Sequence, residues 1–268
     1  MSRAVLVAAL LLALPCWSAE PLRLRNGALD VRLDPATGAI EVTDRRVRRQ
    51  WNQQPFGDAI AVSAVRQTAA GLEVEALDRV NNLRLVATIT LSMQQPEIEV
   101  LLSASGPVAK PVAFSHPFAT GKGTHLVVPM NEGILYPVDD PAIAPHQFIA
   151  YGGHGICMPW FGVADDASGA GIMAIIGTPD DARIDITRRE GTGLLIRPLW
   201  DASRRAFSYP RQLTYVLLDK GGYVAQSTPT CGRRKLPPAF AERAGPTISP
   251  PTLTAATKWR CSSTSRRS

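Results

Sequence analysis

Apolar and polar residues alternate with a period of two along most of the chain between residues 22 and 219. Residues 28–34 and 39–43 both alternate, and the turn-forming Pro35 and Gly38 lie between them, which is the pattern of a β-hairpin. No segment before Gly221 has the period of a helix, so we predict an all-β fold. The same pattern predicts further strands at residues 58–67, 72–79, 83–93, 97–103, 124–128, 155–164, 171–177, 182–187, 194–199 and 212–218.

The predicted strands are joined by short segments rich in Gly, Pro, Asn and Asp, as at Asn81-Asn82. Strands joined in this way, without helices between them, are typical of an antiparallel super-sandwich and not of a parallel α/β sheet. Their spacing is irregular, which argues against a propeller of repeated blades. Residues 106–153 carry few strand signals, and long loops in a compact β domain are where ligands usually bind.

The N-terminus has the composition of an export signal. Residues 1–19 combine a basic Arg3, an apolar run and small residues at Ser18 and Ala19, which predicts a secretory signal peptide. We therefore expect a secreted or periplasmic protein, with a lipoprotein attached through Cys16 as the alternative. No later stretch reaches the roughly 18 apolar residues of a membrane span.

The C-terminal segment differs sharply from the middle of the chain. Ser, Thr and Pro make up 19 of the last 43 residues, and such a composition cannot bury enough apolar surface to fold. The predicted organisation is therefore a signal peptide at 1–19, a β-sandwich domain at 20–225 and a disordered basic tail at 226–268.

The net charge of +6 belongs to this tail. Residues 226–268 carry +7, and the rest of the chain carries −1. A nearly neutral body offers no extended surface for phosphates, so we exclude nucleic acid as a partner of the folded part.

Motifs for cofactors and metals are missing from the sequence. Gly121-Lys122-Gly123-Thr124 lacks the spacing of a phosphate-binding loop, and no helix is predicted after it. The four histidines lack the His-x-His and helical i, i+4 spacings of metal ligands, and the cysteines form no CxxC pair. We expect no cofactor and no metal site.

Five residues are candidates for ligand binding. Glu132 lies in the loop-rich region and is the carboxylate best placed to contact a ligand, and His116 and His146 lie in the same region. Sugars pack against aromatic rings and bond to polar side chains, so Trp160 and Trp200 complete the set, although core packing is the commoner role of such tryptophans.

Three Asp-Asp pairs occur at predicted strand ends: 139–140, 165–166 and 180–181. Asp stabilises turns by bonding to the nearby backbone, and we favour this structural role for all three pairs. Glycosidases use two carboxylates about 5 to 10 Å apart, a geometry that adjacent residues do not create by themselves. We predict no catalytic residue.

Four segments together resemble the N-terminal part of bacterial glycoside-hydrolase-like proteins of the endo-α-N-acetylgalactosaminidase group. They are residues 129–137 (PMNEGILYP), 158–165 (MPWFGVAD), 171–179 (GIMAIIGTP) and 210–225 (PRQLTYVLLDKGGYVA). In that group a galactose-mutarotase-like super-sandwich precedes a catalytic (β/α)8 barrel. The resemblance implies such a sandwich here. The resemblance also implies a barrel after residue 226, but the Ser-, Thr- and Pro-rich sequence there has no barrel pattern, so a truncated or frame-shifted product is a hypothesis.

Three functions follow as hypotheses. The favoured one is a non-catalytic, carbohydrate-associated sandwich of a secreted glycoside hydrolase, whose partner is a carbohydrate and whose catalytic barrel is supplied by another chain. The alternative is a free-standing mutarotase-like or lyase-like enzyme that uses acid-base chemistry of His116, Glu132 and His146, which requires these residues to converge. The third is a structural protein of the export pathway whose basic tail contacts an anionic surface.

Overall fold

The computed structural model describes residues 22–226 except 56, 58, 131–132, 151–155, 157, 190–192, 203–204 and 223. The predicted signal peptide and all of the predicted tail except Gln226 lie outside the described residues. The strands are β1 (Leu22–Arg25), β2 (Leu29–Leu33), β3 (Ile40–Asp44), β4 (Arg49–Asn52), β5 (Ile60–Gln67), β6 (Leu72–Asp78), β7 (Leu83–Leu91), β8 (Glu97–Ser105), β9 (Thr124–Val128), β10 (Ile134–Pro137), β11 (His146–Ile149), β12 (Trp160–Asp165), β13 (Gly171–Ile176), β14 (Ala182–Arg189), β15 (Gly193–Trp200) and β16 (Arg211–Leu218).

The all-β, antiparallel fold predicted from the sequence is confirmed, since every pair of neighbouring strands in the described residues is antiparallel. The hairpin at 28–43 is β2 and β3, with Leu33 opposite Ile40. In its turn the Asp34 carboxylate accepts from the Thr37 hydroxyl at 2.6 Å, and Gly38 has φ +72°. These are the roles that Asp and Gly usually take in a tight turn.

A nine-stranded sheet forms the first layer, in the order β10-β9-β12-β13-β16-β8-β7-β6-β5. Strand β16 lies between β13 and β8 and therefore joins the strands of the two halves of the chain. Its residues alternate between the two faces: Leu213, Tyr215 and Leu217 face the main core.

The second layer consists of the four-stranded sheet β1-β2-β3-β4 and the three-stranded sheet β11-β14-β15. Residues 112–119 connect these two sheets. At one end Val112 pairs with Trp200 on β15, and at the other end Phe118 pairs with Gln53 just after β4. Buried side chains from both small sheets and from the nine-stranded sheet form one hydrophobic core, as a sandwich requires.

A buried polar network holds this connection in place. The Gln53 side-chain amide donates to the Ser115 hydroxyl at 2.8 Å, and the Ser115 and Tyr215 hydroxyls lie 2.6 Å apart. The Gln53 carbonyl oxygen accepts from the backbone N–H of Ile40 at 3.1 Å. All of these side chains are buried, so the network ties the connecting segment, the four-stranded sheet and β16 together.

Candidate functional site

His116 is a predicted site residue that hydrogen-bonds to Thr37, and Thr37 lines an open cleft. It lies in the segment that connects the two small sheets and is 5% exposed. Its Nε2 is 3.0 Å from the backbone carbonyl oxygen of Thr37 in the β2–β3 turn. Burial lowers the pKa of His116, the hydrogen bond to Thr37 opposes this, and the nearby Arg197 cation lowers the pKa further. The imidazole is therefore neutral, with Nε2–H as the donor and Nδ1 as the basic nitrogen.

The cleft, which we call the hairpin cleft, has a volume of about 450 Å³. It is lined by Arg32, Asp34, Pro35, Thr37, Ala39, Ile40, Glu41, Asn52, Gln53 and Pro55. Its volume is in the range of small-ligand sites. It shares Thr37 with the hydrogen bond of His116, so the imidazole holds one side of the cleft in place.

The side chains that line the hairpin cleft include polar groups and charged groups of both signs. The Arg32 guanidinium and the Glu41 carboxylate form an exposed pair at 3.5 Å, and Asn52 is exposed on the neighbouring strand. The polar network fixes the side-chain amide of the buried Gln53. The side chain of Asn52 hydrogen-bonds only to Gln50 among the described side chains. Such groups donate to and accept from hydroxyl groups, which are the hydrogen-bonding groups of sugars.

His146 lies at a different place, at the start of the edge strand β11. Its Nδ1 is 2.7 Å from the backbone oxygen of Ala144, and its Nε2 is 3.3 Å from the Tyr136 hydroxyl. Its ring also contacts Phe148 edge-on, with centroids 4.8 Å apart. Burial raises the pKa of Tyr136. Among the described residues, the hydrogen-bond and ring partners of His146 include no carboxylate.

The described residues do not bring His116 and His146 together. The strands β11, β14 and β15 lie side by side, and the connecting segment that leads to His116 pairs with the far side of β15. Three strand spacings of about 4.8 Å therefore separate β11 from this segment. Glu132 lies outside the described residues, so its distance to either histidine stays open.

The two candidate tryptophans are both buried side chains. Trp200 is 1% exposed in the core between the layers, and its indole N–H donates to the backbone oxygen of Phe114. Trp160 is 4% exposed on the other face of the nine-stranded sheet, packed with Val127, Met173 and Val216. Its Nε1 has no hydrogen-bond partner among the described residues. Neither ring presents an open face for a sugar in this conformation.

A second cleft, of about 400 Å³, contains one of the Asp-Asp pairs. Asp180 and Asp181 form its acidic side, and the Arg183 guanidinium bonds to Asp201 at 2.6 Å across it. Asp181 is 7% exposed and accepts from the Arg211 guanidinium at 3.0 Å and from the Tyr209 hydroxyl at 2.8 Å. This carboxylate therefore stabilises the fold around a fully buried arginine.

The sequence pattern did not identify Arg211, Arg183 or Asp201 as members of a cluster. The only available signal was a charged residue within an otherwise apolar strand, such as Arg211 at the start of β16. Among the described residues, no group of three or more His, Cys, Asp or Glu side chains is arranged to hold a metal ion. No helix in the described part of the chain is long and apolar enough to cross a membrane.

Comparisons with known proteins give a likeness in fold. No protein-family model and no curated protein sequence matches this chain. The α-N-acetylgalactosaminidase NagBb from Bifidobacterium bifidum, in its GalNAc complex, matches with a TM-score of 0.63 and 15% identity over 79% of this chain and 38% of that chain. Its ligand-free form matches with a TM-score of 0.57 and 16% identity over 74% and 36% of the two chains.

The structure shares its fold with part of this α-N-acetylgalactosaminidase. This agrees with the galactose-mutarotase-like sandwich that the resemblance in the sequence implied. A galactose mutarotase related enzyme from Lactobacillus acidophilus also matches, with a TM-score of 0.49 and 9% identity over 75% of this chain and 99% of that chain. The present chain spans only 38% of the length of the Bifidobacterium enzyme.

Proposed function

We propose that this chain is a non-catalytic, carbohydrate-associated sandwich of a secreted glycoside hydrolase, and that the hairpin cleft contributes to glycan binding. The observation that carries the proposal is the fold match to an α-N-acetylgalactosaminidase over 79% of the chain. The cleft offers guanidinium, carboxylate and amide groups, which can hydrogen-bond to a sugar, around a space of about 450 Å³.

The contacts of the two cleft carboxylates support a non-catalytic role. Asp34 accepts from the backbone N–H of Ala36 at 2.9 Å and from the Thr37 hydroxyl, and therefore stabilises the hairpin turn. Glu41 is paired with Arg32. A glycosidase needs one carboxyl group as acid and a second as nucleophile or base on opposite sides of the bond. A turn-forming aspartate is poorly suited to either task.

We also propose that the domain is exported and acts beside a catalytic barrel. The signal-like residues 1–19 support export to the periplasm or the medium. A catalytic barrel that this sandwich accompanies would carry out hydrolysis. The glycan would contact the sandwich and the barrel at the same time.

Binding to a glycan array, followed by titration of the best glycan, tests this function. Replacing Asn52 with Ala removes an exposed amide of the cleft, and we expect about tenfold weaker binding, the loss of one or two hydrogen bonds. The matched control is Gln67→Ala, which removes an exposed amide from the edge strand β5. Equal affinity of the wild type and Asn52→Ala, or the absence of any glycan ligand, would refute the assignment of the cleft.

A further inference from the structure

Two glycines create a notch in the outer face of the nine-stranded sheet. Gly162 on β12 and Gly171 on β13 lie on adjacent strands, where Gly162 pairs with Met173 and Gly171 with Ala164. Neither glycine has the positive φ that would require glycine for its backbone. Their lack of a side chain therefore has another cause, which is the close approach of a different part of the chain.

The notch is filled by the side chain of Gln226. A Cβ atom on Gly162 would lie 1.9 Å from Gln226 Oε1, and a Cβ atom on Gly171 would lie 2.9 Å from Gln226 Nε2. Gln226 Nε2 also donates to the backbone oxygen of Val163 on β12 at 3.2 Å. Gln226 is 0% exposed. A fully buried carboxamide is uncommon, and here it occupies a space that only glycines leave open, with Oε1 unpartnered among the described residues.

The turn that carries Gln226 is fastened to the sheet at a second point. The backbone N–H of Gly222 donates to the oxygen of Gly169, in the β12–β13 turn, at 2.9 Å. The N–H of Ala225 donates to the oxygen of Gly221 at 3.2 Å, which closes the short helical turn. Gly221 and Gly222 have φ angles of +91° and +52°, so glycine allows the sharp change of direction after β16.

We infer that Gly162, Gly171 and Gln226 form an anchor that fixes the turn after β16 to the outer face of the sheet. Three groups surround the carboxamide. A Cβ atom added to Gly162 or to Gly171 would clash with it, and the backbone oxygen of Val163 accepts its hydrogen bond. The turn that ends at Gln226 is therefore a rigid joint. Any domain or segment attached there starts from a defined position on the outer sheet face, in contrast to one attached through a free linker.

Hydrogen exchange of the full chain tests the anchor. In the wild type the amides of Gly222 and Ala225 are protected by their hydrogen bonds. In Gln226→Ala we expect peptides that cover residues 221–226 to exchange at least about tenfold faster, while peptides from β7 keep the wild-type rate, because only the local joint opens. Exchange of 221–226 within about twofold of the wild type would overturn the anchor.

Three further variants separate the fit of the side chains from general destabilisation. Gly162→Ala places a methyl group on the carboxamide and 2.9 Å from the backbone oxygen of Ile172, and it should raise the exchange of 221–226 as Gln226→Ala does. If the carboxamide contact is the cause, the double variant Gly162→Ala/Gln226→Ala should exchange no faster than Gln226→Ala alone. Gly27→Ala is the matched control, because a Cβ there has no heavy atom within 4 Å. Additive effects in the double variant would show that the glycine and the glutamine act separately and would contradict the proposal.

Discussion

At the scale of single residues, His116 shows how burial changes the chemistry of a candidate group. Its lowered pKa means that the folded protein binds a proton less readily than the unfolded chain, whose histidine has the ordinary value of 6.5. The folded state is thus favoured above that pH, and this contribution is lost as the pH falls from about 6.5 through the lowered pKa.

We therefore expect His116→Gln to remove a pH dependence. The wild type should lose stability towards unfolding between pH 7.5 and pH 5.5 more steeply than His116→Gln, because glutamine does not titrate. Urea unfolding at both pH values measures this difference. Parallel loss of stability in the two proteins would contradict the assignment of a buried neutral histidine.

The buried pair of Asp181 and Arg211 makes a second prediction at this scale. Arg211 is 0% exposed, and its ring neighbours Phe207 and Tyr209 lie 4.5 and 3.9 Å from the guanidinium carbon. Burial lowers the pKa of Arg211, and burial together with the hydrogen bond to Asp181 raises the pKa of Tyr209 to about 12.

Asp181→Asn leaves the buried cation without its carboxylate and should lower the free energy of unfolding by about 3 to 5 kcal/mol. The control is Arg84→Gln, which breaks a pair whose arginine side chain is 70% exposed and should cost under about 1 kcal/mol. Denaturant unfolding measures both. Similar small losses of unfolding free energy in the two variants would contradict the conclusion that Asp181 stabilises the buried Arg211.

Only some of these side-chain environments could be predicted from the sequence. Trp160 lies within the predicted strand 155–164 and Trp200 directly follows the predicted strand 194–199, but whether each ring faced the core or solvent depended on which sheets covered it. Likewise, the pairing of Asp181 with Arg211 joins residues 30 positions apart, and no local pattern indicates such a contact.

At the scale of elements, the hairpin of β5 and β6 depends on one glycine. Gly71, in the turn between them, has φ +154°, and a Cβ there would lie 2.2 Å from the backbone oxygen of Ile89 on β7. We expect Gly71→Ala to cost about 1 to 3 kcal/mol from the strained backbone alone, with the clash adding to it.

Gly27→Ala, in the turn between β1 and β2, is the matched control and should change stability by less than about 0.5 kcal/mol. Thermal and denaturant unfolding of both variants provide the measurement. If Gly71→Ala is as stable as Gly27→Ala, the conclusion that this turn packs closely against β7 is contradicted.

Strand prediction succeeded where alternation was long and failed where strands were short. The hairpin of β2 and β3 and the long strands β7 and β8 were predicted close to their observed bounds. Four strands were not predicted from the pattern: β1, β4, β10 and β11. Each has four residues, too few for a period of two to stand out, and their pairing partners stabilise them.

At the scale of the whole molecule, the sandwich depends on contacts between distant parts of the chain. The sheet order places β16 beside β8, and the segment 112–119 joins two sheets that are separate in sequence. The sequence indicated a sandwich and its likeness to a known fold, but not this order. It also left the hairpin cleft unnoticed, because the cleft forms where a turn predicted as structural meets Asn52, Gln53 and Pro55.

The central claim is that this sandwich binds a glycan and does not transform it. Proton NMR of one sample that contains the full chain and an N-acetylgalactosamine-bearing glycan observes three processes at once: transfer of saturation from protein to sugar, exchange between anomers, and release of free sugar. The account predicts saturation transfer that is reduced in Asn52→Ala, with anomer exchange at the uncatalysed rate and no released sugar. Accelerated anomer exchange or sugar release by the wild type would contradict it.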